Sequence, residues 1–574
     1  MSRKVDPNTP YRMICHRVSG RNKMYASTKK EKFSKKTGKP YSGYVHWGTV
    51  DSEKKFEPNI DWLLLDPDER KKFIFPPDWD LSAVEHLPSH RKAGRPRCEE
   101  DQDRFYGDIW LLEQIADKTG IRQDLEKVFH GNRELVADIL TIAMFPYLSK
   151  MADNHLEAWQ HLGKFPAVHK LSPSRIARLK QHITEEHRAH LLRLRVARVG
   201  KGDVFAVDST TRSAYGHCLT DVTWGKSKDH LPLPQTVEVV AYSLKSFSPV
   251  YYRQFAGNMP DVRSFRPVLT ELRYLGISDV ILITDRGYES SRNLQLCVKW
   301  NQALITAAKI RQKRILTAID AFGTFGAFPE AMTFLPEYKL YAAQYDEAIT
   351  VSVGKNRIKE SEALKLNLFF DPVRRAEESI ALDAELHEQE RELLALQKEQ
   401  ACIPDKDMRR FNYYKIQRNA ETHVVESWER DEKRIEKARR VLGFFALYSL
   451  MVDGSPEHIL ALYKQRDLQE KYFSDMKTKC CAAKQHSSTD SGKAGSLFIL
   501  FVSLVLVSYL KHTWQTSREL RRDFRYSFEI IETMRRIHCL QYPGHPDVIT
   551  PFVGKQIVVC DAFHIEAPPG CLPN

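Results

Sequence analysis

The chain has no CxxC pair, and its ten cysteines are scattered from Cys15 to Cys571 with no Cys/His cluster at zinc-ligand spacing. That argues against a structural zinc site and a disulfide-stapled scaffold, and such scattered thiols suit a reducing cytosol. No Gly-rich stretch ends in the Gly-Lys-Ser/Thr of a phosphate-binding loop, so nothing points to ATP-driven chemistry. The longest apolar run, Leu497–Leu510, is fourteen residues and contains Ser503 and Ser508. A membrane span takes about 20 residues, so this run is expected to be a buried core helix. The first residues, Met1–Pro10, are polar and charged, unlike a secretory leader.

What is present is globular in composition. Apolar residues make up 42% and charged residues 28% of 574 positions, enough for several cores and unlike a disordered or collagenous chain. Lys and Arg (87) outnumber Asp and Glu (74), a formal charge of +13 that favours a polyanionic partner, most simply nucleic acid. The excess is uneven. The first fifty residues carry twelve Lys/Arg against two Asp/Glu, with Lys29, Lys30, Lys32, Lys35, Lys36 and Lys39 set among Tyr25, Phe33, Tyr41 and Tyr44. Gly43–Val50 alternates like a strand, so the segment reads either as a small basic β module that grips phosphates or as a solvated basic tail.

Hydrophobic periodicity then divides the chain. Residues 1–64 form the basic module and 65–104 a linker rich in Pro and charge. The linker holds Gly94-Arg95-Pro96-Arg97, which reads as ordinary linker or as an arm for the minor groove. Residues 105–200 repeat apolar side chains at helical spacing and are expected to form a DNA-binding helical region. From 201 to 308 short apolar runs predict strands at Val204–Val207, Val237–Tyr242, Val250–Phe255, Val280–Thr284 and Ala303–Ala307. Helices are expected at Val262–Leu275 and Ser290–Trp300, which describes one mixed α/β sheet. A charged helix from Pro372 to Gln400 has a narrow stripe of Leu382, Leu386, Leu393 and Leu396. It is a coiled-coil arm or, more simply, packs on its own domain. A strand at Val441–Tyr448 and helices to His538 follow, then a Pro-rich tail over 541–574.

Two aspartates end apolar runs, Asp208 after Val204–Val207 and Asp285 after Ile281–Thr284. Either alone suits a cap or turn; two at strand ends of one sheet suit a site, because α/β sheets open to ligands there. Further on, Tyr463, Arg466, Glu470 and Lys477 are spaced 3, 7 and 14 residues from the tyrosine. On one helix these offsets fall at about 300°, 340° and 320°, a single stripe. A solvated salt-bridge face accounts for the Arg and Glu but has no need of the Tyr and Lys.

Tyr-x2-Arg-x3-Glu-x6-Lys resembles the YREK signature of the DDE transposases of bacterial insertion sequences. Thr284-Asp285-Arg286-Gly287-Tyr288 and Val207-Asp208-Ser209-Thr210 resemble the same group's second and first aspartate motifs, in the right order. Gly257-Asn258-Met259-Pro260-Asp261 and Ser227-Lys228-Asp229-His230 look like one subgroup, although Leu231-Pro232-Leu233 departs from its usual continuation.

The resemblance implies an RNase H-like mixed sheet split by a large insertion. The core would cover 201–308 and 441–540, and the insertion 309–440. It implies Asp208, Asp285 and Glu470 as catalytic ligands of two Mg²⁺ ions, with Mn²⁺ as a substitute. Tyr463, Arg466, Lys477 and Arg286 would contact DNA. The implied partners are double-stranded terminal inverted repeats and target DNA, engaged by a homodimer in the cytoplasm at the nucleoid, with no membrane. The implied reaction is cleavage at element ends followed by transfer of the 3′-hydroxyl. Two other readings stay open: a DNA-binding protein descended from such an enzyme, and an RNase H-like nuclease without strand transfer.

Overall fold

The computed structural model describes residues 11–17, 24–33, 40–63, 65, 67–82, 102–215, 219–226, 228, 232–321, 332–353, 356–467, 474, 477–478, 480, 484–542 and 545–572. The Gly94–Arg97 segment, Lys35, Lys36, Lys39 and Glu470 lie outside them. The chain divides into two compact units. One holds Met1–Val199, Ser209–Met259 and Gln469–Asn574, the other Gly200–Asp208 and Pro260–Leu468.

The strands of the central region are, in chain order, β1 (Asp203–Ala214), β2 (Gln235–Ser243), β3 (Ser248–Ala256), β4 (Val280–Thr284), β5 (Leu304–Ala307), β6 (Thr333–Leu335), β7 (Leu340–Val353), β8 (Asn356–Phe370) and β9 (Phe444–Leu450).

In the first unit the basic N-terminal segment is a four-stranded antiparallel sheet of Ile14–Arg17, Met24–Phe33, Pro40–Val50 and Phe56–Pro58. Its core is Met13, Ala26, Val50, Phe56, Trp62 and Phe73, with Leu65, Phe75, Trp79 and Leu81 packed against it. Part of the stretch read as a linker therefore supplies apolar side chains to this module. Its Pro and Asp content hid an aromatic cluster spaced too irregularly for a helix or strand pattern.

The helices Gly107–Lys118, Ile121–Val128, Arg133–Ser149, Pro173–His182 and Glu185–Ala197 follow. Asn132 and Ser172 cap the third and fourth, each accepting from a backbone N–H of the first turn. The long apolar helix Asp490–Thr516 packs against the first, third and fourth of these and against β3, where the Tyr252 and Phe501 ring centres lie 4.9 Å apart. It is the one described helix long and apolar enough to cross a membrane, and 83% of its apolar window is buried inside the protein. Burial on all sides explains an apolar surface all round the helix without a bilayer.

The tail after Gln541 is folded. Gln102–Phe105, His538–Gln541, Asp547–Ile549 and Cys571–Leu572 form a small sheet beside the helix Lys555–Phe563. In the same unit β2 and β3 form the expected antiparallel pair, with Val240 opposite Tyr252.

The second unit carries strands in the order β1-β4-β5-β9-β8-β7-β6. β1, β4 and β5 are parallel neighbours; from β9 onward the pairing is antiparallel. Parallel neighbours need crossover helices, and Ser291–Lys299 supplies the one between β4 and β5. The strands β7 and β8 fall within 309–440 yet extend the main sheet, so the part standing apart from the sheet begins only at Pro372. There the helix Pro372–Lys398, the hairpin Tyr414–Arg418/Val425–Arg430 and the helix Glu432–Arg440 share a separate core. It is built on Leu382, Leu386, Leu393, Ile403, Phe411 and Ile435. The leucine stripe is thus spent on its own module. Phe370 of β8 pairs with Phe444 of β9, and the Asp371 N–H donates to the Gly443 carbonyl at 2.9 Å. The module leaves and rejoins the sheet at adjacent positions, so its length costs the sheet little.

One close approach in the first unit gives a direct test. A Cβ at Gly495 on the long apolar helix would collide with the backbone carbonyl of Lys180. Gly495→Ala is expected to destabilise that unit by about 1–3 kcal/mol or more through forced helix separation, read as a lowered midpoint in urea unfolding.

Candidate active site

The two candidate aspartates meet through strand register. In the parallel pair β1/β4, Val207 stands opposite Thr284, so the next residues, Asp208 and Asp285, leave the paired segment side by side. β1 does not end at Asp208, as its apolar run suggested, but continues to Ala214. The polar residues Ser209–Ser213 are buried too, so hydropathy alone did not mark the strand's true end. β4 does end at Thr284, and Asp285 opens the turn beyond it. The Arg286 backbone N–H donates to Asp285 Oδ1 at 2.6 Å, and the Tyr288 N–H donates to the Asp285 carbonyl at 3.0 Å. The Arg286 side chain is exposed, so the backbone and not the guanidinium fixes the carboxylate. Gly287 faces Asp261 closely; a Cβ there would come within 2.9 Å of Asp261 Oδ2, so the Asp-Arg-Gly-Tyr turn packs against the start of the helix Asp261–Tyr274. Tyr288 is buried edge-on against Phe265.

The helix Pro456–Lys464 brings the third element. Ser455 caps it by accepting from the His458 N–H, and Ile459 and Leu460 bury its apolar face. The helix packs on β5, β7, β8 and β9. It ends at Lys464, more than three turns short of the single helix through Lys477 that the stripe requires. The Gln465 N–H bonds to the Leu462 carbonyl and the Arg466 N–H to the Tyr463 carbonyl, which tightens the last turn in 3₁₀ fashion. Tyr463 and Arg466 therefore remain neighbours, with the guanidinium carbon 5.5 Å from the Tyr463 ring centre. The stripe is broken at Gln465–Arg466, and Lys477 is a partly buried helical residue of the other unit.

Arg466 reaches both aspartates. Its Nη1 lies 3.6 Å from Asp285 Oδ1 and 3.9 Å from Asp208 Oδ2. The Arg466 and Asp208 side chains are each 13% exposed and Asp285 is 41% exposed, so the cluster opens to solvent on the Asp285 side. Behind it, Gln312 donates to the buried carboxylate of Glu289 at 2.8 Å, and the Tyr448 hydroxyl donates to Gln312 at 3.1 Å. Burial pushes the Tyr448 phenol well above its ordinary range, so it stays a donor at neutral pH. Glu289 was not singled out from the sequence. It follows no apolar strand, and its contacts make it a brace for the turn after β4.

Among the described residues no group of three or more His, Cys, Asp or Glu is placed to hold a metal ion. The pair Asp208/Asp285 offers two carboxylates, the oxygen chemistry that a hard divalent cation takes. In the Ser227–His230 motif only Lys228 is described. Its backbone N–H donates to Thr211 Oγ1 at 3.1 Å and its ammonium to Ser209 Oγ at 2.8 Å, tying that loop to the residue next to Asp208.

Residues 200–506, more than half of the chain, match the transposase DDE domain family, and the chain belongs to that family. Asp208, Asp285 and Arg466 all lie inside the matched span. No curated protein matches the chain. Among solved structures it is similar to the piggyBac transposase synaptic complex with hairpin DNA, at 8% identity. The match covers 74% of this chain and 82% of that one with a TM-score of 0.24.

Because Ser455 sets the start of the helix that delivers Tyr463 and Arg466, Ser455→Ala should cost about 0.5–2 kcal/mol of stability, measured by denaturant unfolding.

Proposed function

We propose that the chain is a DNA transposase of the insertion-sequence type, which cuts phosphodiesters at element ends and joins the freed 3′-hydroxyl to target DNA. The observation that carries this reading is the β1/β4 register, which brings the carboxylates of Asp208 and Asp285 to one arginine inside a transposase DDE domain. In this reading the core is RNase H-like: β1 carries Asp208, the turn after parallel β4 carries Asp285, and the module beginning at Pro372 is the insertion. Asp208, Asp285 and Glu470 would hold two divalent cations, Mg²⁺ or Mn²⁺. When bound, these would supply an activated oxygen nucleophile and neutralise charge on the phosphorus and the leaving oxygen.

The chain's own residues then divide the work. Asp208, fixed within a strand, and Asp285, held by the Arg286 N–H, keep their oxygens in place without reorganisation. Arg466 and Lys477 would hold phosphates on either side of the cut, and Tyr463 would rest against the strand. The exposed Arg286 guanidinium would take a neighbouring phosphate. The basic β module and the helices of 105–200 would grip the inverted repeats, largely through the backbone. A homodimer would hold two ends together in a synapse, in the cytoplasm at the nucleoid. The spacing Tyr463, Arg466, Glu470, Lys477 supports placement in the YREK group.

The test uses DNA ends taken from the flanks of the gene. Asp208→Asn, Asp285→Asn and Glu470→Gln should each lower Mg²⁺-dependent nicking and joining by about a thousandfold, the loss of roughly 4 kcal/mol of charge stabilisation. End binding in a gel-shift assay should stay close to wild type. Normal nicking and joining by the Asp208→Asn chain would falsify the site, and nicking without joining would leave only a nuclease.

A further inference from the structure

We propose that Arg466 is the internal counter-cation of the carboxylate pair, holding Asp208 and Asp285 together before metal arrives and exchanging them for a DNA phosphate afterwards. The inference rests on the proposed function and adds to it a coupling between metal loading and DNA binding.

Three observations carry it. First, the strand register forces the two carboxylates together whether or not a cation is present, and Asp208 is largely buried. Two adjacent anions in a half-buried site repel, and a cation between them relieves this. Second, a single nitrogen, Arg466 Nη1, is within ion-pair range of both, at 3.6 and 3.9 Å. Both distances exceed a hydrogen bond's, so the guanidinium neutralises the aspartates without being locked to them. Third, Arg466 sits in the turn after its helix, not within it, and the Tyr463 ring lies 5.5 Å from its guanidinium carbon. The ring already flanks the guanidinium in this pose, and a long side chain on a turn can swing its head toward a phosphate while its stem keeps to the aromatic face. Any cation that binds both carboxylates must compete with this guanidinium. A phosphate that draws Arg466 away removes the competitor. Metal and DNA then favour each other, and by linkage the effect is reciprocal.

The experiment is Mn²⁺ binding to the full chain, followed by electron paramagnetic resonance, with and without a duplex carrying the flanking end. Arg466→Gln without DNA is expected to bind Mn²⁺ about tenfold more tightly than wild type, within the usual range of coupling. Duplex DNA should tighten Mn²⁺ binding to wild type and do so less for Arg466→Gln. Arg466→Lys, which keeps the charge, should stay near wild type. Arg466→Met serves as a second neutral variant if the glutamine chain does not fold. In each case Asp208→Asn in the same background should remove the Mn²⁺ signal. Asp208-dependent binding left unchanged or weakened by both neutral variants overturns this inference alone, as does a lysine variant that binds as tightly as the neutral ones. Absence of Asp208-dependent Mn²⁺ binding in every chain, with or without DNA, overturns the metal site and this inference with it.

Discussion

The parallel pairing of β4 with β1 is the constraint on which the candidate site depends. Five consecutive residue pairs, Asp203 with Val280 through Val207 with Thr284, set the register. A slip of one residue would turn every side chain of β4 to the opposite face and carry Asp285 away from Asp208. The buried apolar side chains make that slip costly: Phe205, Ala206, Val207, Leu282 and Ile283 are all essentially inaccessible to solvent. Hydrophobic burial along the strands thus places two anions that would otherwise repel.

The helix that brings Arg466 to those anions answers the resulting electrostatic problem. Ser455 starts it, Ile459 and Leu460 seat it on the sheet, and its end at Lys464 leaves Arg466 on a turn. The antiparallel side of the sheet serves the same purpose at longer range. β8 and β9 lie next to each other, so the chain can leave at Phe370, build a separately cored module, and return at Phe444 without disturbing β5 or the helix that follows β9. The charge balance of the whole chain is consistent with this division. The basic excess is concentrated in the N-terminal β module, while the carboxylates are gathered by the sheet.

Much of the strand and helix pattern was legible. β2, β3, β4 and β5 and the helices Asp261–Tyr274 and Ser291–Lys299 lie where periodicity put them, because each is bounded by Gly, Pro or charge and buries a full face. Other features were hidden for physical reasons. The continuation of β1 through Ser209–Ser213 is polar yet buried, so hydropathy could not follow it. The irregular aromatics of 65–81 share no period, so their packing on the β module was invisible as a pattern. The Tyr463–Lys477 stripe assumes an unbroken helix, whereas hydrogen bonds at Gln465 and Arg466 end the helix within it.

By itself the sequence determined the chemistry available and the order in which it occurs: an aspartate after each of two apolar runs, and an arginine three residues beyond a tyrosine. Residue type and local spacing are carried by the chain directly, and so were readable without a structure. Only the tertiary structure decided which of these groups meet. Asp208 and Asp285 are far apart in sequence, and Arg466 is farther still. Their approach depends on strand order, register and the seating of one helix, which are properties of long-range packing that no local spacing encodes.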